Sequence, residues 1–105
     1  MKNTKNIIKI CNNIDLKKLS VESYDLWLRA KIVIQFIYLR EKLGYTQEQV
    51  ATIMGVKRQQ ITRFENMNNS PTIYFLVKYA NALNADLDIL LNGIGLTEVH
   101  NESKI

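Results

Sequence analysis

The chain has 105 residues, 47% of them hydrophobic, with four glycines, one proline and a formal net charge of +4. That length holds one domain around one core, and the scarcity of glycine and proline excludes a disordered or collagen-like chain. A single cysteine, Cys11, excludes an internal disulfide and a thiolate cluster, and a single histidine, His100, supplies no imidazole ligand set, so no metal or other cofactor is expected.

The charge is uneven. Residues 1–20 carry five lysines against Asp15, or +4, whereas residues 81–105 carry Asp86, Asp88, Glu98 and Glu102 against Lys104, or −3. A basic front suits a polyanionic partner such as nucleic acid, and the same asymmetry suits a basic protein partner. The run Ile32 to Leu39 is apolar but too short to cross a bilayer, and no signal peptide follows the N-terminal lysines. These features predict a soluble, cytoplasmic protein without membrane contact.

Residues 1–19 are rich in Lys and Asn. Ile7, Ile8, Cys11 and Ile14 fit a weak helical stripe, a short strand or a loosely attached arm. A basic arm would touch a DNA backbone or minor groove, while a lysine-rich terminus also serves solubility alone. Ser20 is a candidate N-cap for a helix running to Leu43, with an interruption expected near Arg29. Within it, Ile32, Val33, Ile34, Phe36, Ile37, Tyr38 and Leu39 enclose only Gln35. β-Branched residues there also allow a buried strand, but polar helical sequence flanks the run and no second strand is available to pair with it. A helix apolar nearly all round needs more cover than one small bundle offers. Tyr24, Trp27 and Leu28, the N-terminal segment, or a second subunit would supply it.

Gly44 ends that helix. Thr46 then caps a helix through Met54, with Val50, Ile53 and Met54 as its buried face, and Gly55 makes the turn. The next segment is amphipathic. Val56, Ile61 and Phe64 are apolar, while Lys57, Arg58, Gln59, Gln60, Thr62 and Arg63 form a polar face without an acid. An apolar stripe turned inward and long donors turned outward are what a major-groove reader needs. Residues 67–71 form a turn, with Ser70 a cap and Pro71 the first position of a helix to Leu83. Ile73, Leu76, Val77, Ala80 and Leu83 form its core stripe. Asp86 caps a short last helix through Leu91, and residues 95–105 read as tail.

The stretch LREKLGYTQEQVATIMGVKRQQITRFEN, followed by a helix ending NALNADLDILL, resembles the XRE family of phage-repressor-like helix-turn-helix proteins. Leu39-Arg40, Thr46-Gln47, Val50-Ala51, Gly55-Val56, Ile61 and Phe64-Glu65-Asn66 carry the resemblance. It implies an all-α, five-helix phage-repressor-like helix-turn-helix bundle, here with an N-terminal helical extension. The expected layout is an extension at 1–29, a helix-turn-helix domain at 30–93 and a tail at 94–105. By resemblance, Arg58, Gln59, Thr62 and Arg63 face base edges, with Lys57 and Gln60 beside them. Gln47 touches phosphate and braces the recognition helix, and Asn66 opens a backbone-contacting loop. Arg40 and Glu65 form a structural salt bridge. Met67 departs from the pattern, which has glycine after the Glu-Asn pair.

An enzyme is not expected. Asp86 and Asp88 sit where capping explains them, the glycines are dispersed, and Cys11 and His100 are far apart. The first reading is a sequence-specific DNA-binding transcriptional regulator, a repressor binding a palindromic operator as a homodimer. The alternative is an antitoxin that neutralises a toxin and autoregulates its operon. A third reading is an antagonist that pairs with a related regulator. The expected partners are therefore double-stranded DNA, a second copy of the chain, and a protein that is either a toxin or a related regulator.

Overall fold

The computed structural model describes residues 18–92. The expectations placed on the N-terminal arm, Cys11, His100 and the tail lie outside those residues. Among the described residues every regular element is helical. Four helices have eight residues or more: α1 (Val21–Lys42), α2 (Gln47–Met54), α3 (Arg58–Glu65) and α4 (Ile73–Ala82). A short turn of helix, α5 (Leu87–Leu91), follows.

α1 begins where Ser20 accepts a hydrogen bond from the Ser23 amide at 3.1 Å. Glu22 lies in its first turn and Arg40 and Lys42 in its last, both favourable to the helix dipole. The expected interruption at Arg29 does not occur. The helix is continuous there, and Asp25 and Arg29 pair at 3.0 Å one turn apart on it. The extension expected at 1–29 included the start of this helix, and α1 runs across its boundary. Nor is the apolar run covered all round: Tyr38 is exposed and carries Lys42 Nζ 5.8 Å from its ring centre. Trp27, Ala30, Ile34 and Ile37 form one buried row, with Val33, Phe36 and Arg40 beside it.

The main core joins α1 to α2, α3 and α4 through Phe36, Val50, Ile61, Phe64, Leu76 and Tyr79. Its centre is aromatic. Phe36 lies edge-on to Phe64 at 5.6 Å and tilted on Tyr79 at 4.7 Å, and Phe75 packs on Phe64 at 5.3 Å. Trp27 and Ala30 form a smaller cluster with Leu19, Leu28 and Met67.

Three sequence expectations are corrected by this packing. Ile53 is exposed on α2 and Ala51 is buried instead, because the buried strip is only Val50, Ala51 and Met54. On α4, Ile73 and Val77 are exposed, and Tyr79 occupies the core position. The cap of α4 is Thr72, whose hydroxyl accepts from the Phe75 amide at 3.0 Å, so Pro71 precedes the helix rather than opening it behind Ser70.

Helices α1 to α4 share one way of ending. Each is followed by a left-handed residue: Gly44 (φ 82), Gly55 (φ 72), Met67 (φ 60) and Asn84 (φ 56). At each end the amide of the next residue reaches back five positions: Tyr45 to Arg40, Val56 to Ala51, Asn68 to Arg63, and Ala85 to Ala80, at 2.9–3.0 Å. This is the Schellman closure, for which glycine is best suited and asparagine next. Methionine is the outlier.

Candidate nucleic-acid interface

α2 and α3 are joined by the turn at Gly55 and Val56. α2 starts with a complete capping box: the Thr46 hydroxyl accepts from the Gln49 amide at 3.1 Å, and Gln49 Oε1 accepts from the Thr46 amide at 2.8 Å. α3 buries Ile61, Phe64 and Glu65, which turns the opposite face outward. Lys57, Arg58, Gln59, Gln60 and Arg63 are exposed there, and Thr62 is half-buried. Arg58, Gln59, Thr62 and Arg63 line one open concavity. Arg58 continues into a second with Thr46, Gln47 and Glu48, and Arg63 into a third with Gln60, Asn69 and Ser70. No carboxylate lies on the outer face of α3. Glu41 and Glu48, both exposed, line the concavity that Arg58 shares with Thr46 and Gln47.

Glu65 is turned into the protein, where it holds the whole unit together. Its Oε2 accepts from Arg40 Nε at 2.8 Å and from the Tyr79 hydroxyl at 2.6 Å. Its Oε1 accepts from Arg40 Nη2 at 2.8 Å and from Gln47 Nε2 at 3.0 Å. Four donors saturate a carboxylate. Arg40 spends its remaining Nη1 on the Tyr45 carbonyl at 2.8 Å. One buried carboxylate therefore links α1, α2, α3 and α4. Burial by itself would lower the pKa of Arg40, but the hydrogen bond and charge of Glu65 outweigh it and the net direction is upward. Burial raises the Tyr79 phenol, and the negative charge of Glu65 raises it further.

The expected site residues divide into three groups. Arg58, Gln59 and Arg63 project outward together. Thr62 and Gln47 are committed inward: the Thr62 hydroxyl donates to Gln47 Oε1 at 2.8 Å, with the Arg58 carbonyl at 3.3 Å as a longer acceptor. Fixed by Thr62 on one side and Glu65 on the other, the Gln47 amide has a set orientation, with a second N–H beyond the one given to Glu65. Gln60 Oε1 accepts from the Lys57 amide at 3.1 Å, so its carbonyl caps α3 and is not available for a bidentate contact. Lys57 is the N-cap of α3 and Asn66 its C-cap, both exposed at the helix ends. Sequence reasoning missed Tyr79. Its signal was an aromatic hydroxyl three residues after Leu76 on the α4 core stripe.

A helix pair joined by a left-handed glycine turn, with an outward basic face on the second helix, defines a helix-turn-helix protein. A helix-turn-helix family model matches residues 37–90, just over half of the chain. The chain belongs to this family, in its XRE-type branch. It is similar to an uncharacterized HTH-type transcriptional regulator of Haemophilus influenzae, with 33% identity over 63 residues. The matched part is 60% of this chain and 64% of that relative, so the chain covers less than two thirds of the relative's length. No solved structure matches the chain. Among the described residues no helix is long and apolar enough to cross a membrane, and no group of three His, Cys, Asp or Glu side chains is placed to hold a metal ion.

Proposed function

We propose that the chain is a sequence-specific DNA-binding transcriptional regulator that enters the major groove with α3. The observation that carries this reading is the grouping of Arg58, Gln59 and Arg63 on one exposed, acid-free face, with Glu65 withdrawn into the core. Arg58 or Arg63 would take the two acceptors of guanine, and Gln59, whose amide makes no cap, would take adenine. Gln47, oriented by Glu65 and Thr62, would place its second N–H on a phosphate, and Lys57 and Asn66 would reach the backbone at the two ends of α3. Repression would follow from occupancy of a promoter, with two copies reading the halves of a palindrome about 34 Å apart.

The test is selection from random duplex DNA at low salt, followed by titration of the selected site. The purified chain should enrich one motif. Arg63→Ala should weaken that site by about 1–3 kcal/mol and relax one base position if it reads guanine. An equal loss on every sequence would make Arg63 a phosphate contact, and failure to enrich any motif would refute the reading. A second reading, an antitoxin that binds a toxin through its N-terminal region, is favoured by the exposure of Val21, Tyr24 and Leu26 on the first turns of α1. Co-purification with the product of an adjacent reading frame separates the two.

A further inference from the structure

Resting on that reading of α3, we propose that the first turns of α1 form a clamp on the loop at residues 66–70. Through that clamp, Trp27 and Met67 act as positioning residues for the loop's contact with the DNA backbone. These turns of α1 lie ahead of the part of the chain that the family model matches, residues 37–90. They nevertheless grip the segment leaving α3 at two places. Met67 packs against Trp27 and Ala30 on one side and against the main core on the other. Arg29, whose Nη2 pairs with Asp25 at 3.0 Å, donates from Nη1 to the Asn69 carbonyl at 3.3 Å.

The loop held in this way borders the reading face, since Asn69 and Ser70 share a concavity with Gln60 and Arg63. The choice of residue at position 67 supports the same conclusion. The other Schellman ends use Gly44, Gly55 and Asn84, which accept a positive φ cheaply, whereas a methionine at φ 60 is disfavoured by its own backbone. Its side chain must gain something from its surroundings, and what it touches is the seam between the α1 cluster and the core.

The clamp is tested with variants that remove no charge. Met67→Gly keeps the left-handed turn and loses the seam, Trp27→Ala removes the other half, and Met67→Leu restores an apolar side chain. Each is titrated with the selected duplex over a range of salt, and amide hydrogen exchange at Asn68 and Asn69 is followed in the free chain. Residues 66–70 carry no cation, so affinity should fall roughly five- to tenfold in Met67→Gly and Trp27→Ala while the slope of log K against log salt stays that of the parent. Met67→Leu should keep the parent affinity.

A role in stability alone would leave the affinity of the folded chain unchanged at a temperature well below its unfolding midpoint. Exchange at Asn68 and Asn69 should speed up in Met67→Gly. Unchanged exchange overturns the clamp, whatever happens to DNA, and this arm decides the matter if Trp27→Ala fails to fold. Faster exchange with an unchanged affinity overturns the positioning role. A parent chain that selects no duplex overturns the reading of α3 and the DNA half of this proposal together.

Discussion

Replacing Tyr79 with Phe isolates one hydrogen bond in the buried network. The ring is fully buried among Phe36, Phe64 and Phe75, and Phe fills the same space, so packing is preserved. What is lost is the 2.6 Å bond to Glu65 Oε2. A hydrogen bond to a charged group contributes about 1.5–3 kcal/mol. Glu65 keeps Arg40 and Gln47 as donors and is not orphaned, which places the cost near the lower end, about 1.5–2 kcal/mol. At about 4–8 °C per kcal/mol for a domain of this size, the midpoint should fall by roughly 6–16 °C.

Urea denaturation checks the free energy directly, and the slope with denaturant should not change, because the surface exposed on unfolding is the same. A loss below about 0.5 kcal/mol would refute the reasoning, since it would mean that the fourth donor adds nothing to a carboxylate already held by three. The same bond sets a pH dependence. The folded phenol titrates above its unfolded value, so its contribution is complete below about pH 10 and is lost as pH rises through the folded value. The parent chain should therefore lose stability above about pH 10 more steeply than Tyr79→Phe does.

Three further outcomes follow from the local geometry. Glu65→Ala leaves the Arg40 guanidinium buried without its counter-ion and should cost about 3–5 kcal/mol, read by the same denaturation and about twice the loss in Tyr79→Phe. Thr46→Ala breaks one half of the α2 capping box and should cost about 1 kcal/mol. Gly55→Ala meets nothing within 4 Å of its new Cβ, so its cost should be the backbone strain of φ 72 alone, about 1–2 kcal/mol by thermal unfolding.

The fold was legible where local chemistry and burial agreed. Ser20, Thr46, Gly44 and Gly55 each act in the structure as their residue types suggest, because caps and left-handed turns depend on neighbours within a few positions. The outward direction of Arg58, Gln59 and Arg63 was legible for the same reason, since Ile61 and Phe64 fix the opposite face. What escaped was decided by contacts distant in sequence. Apolar Ile53, Ile73 and Val77 fit helical stripes but face solvent, because each helix of this small bundle buries a strip narrower than its apolar content. Thr62 and Gln60 sit among the outward residues in sequence, yet their polar atoms are used for bracing and capping. No periodicity shows that an exposed-looking Gln or Thr is already committed.

Met67 shows how such a commitment changes the energy of a turn. A left-handed non-glycine residue costs about 1–2 kcal/mol, whereas burying a methionine fully contributes about 1.5–3 kcal/mol, and Met67 is only half-buried. The two terms nearly cancel. Replacement by glycine should accordingly leave global stability within about 1 kcal/mol of the parent, although the seam with Trp27 and Ala30 is gone. Such a position contributes little to whether the domain folds and much to where one loop rests. The ends at Gly44, Gly55 and Asn84 close with residues that tolerate the turn unaided, but the end of α3 depends on α1 for the side-chain contact that offsets its backbone. If denaturation showed Met67→Gly to be destabilised by well over 1 kcal/mol, the seam would be part of the main core's stability, and the near-cancellation argued from φ and burial would be wrong.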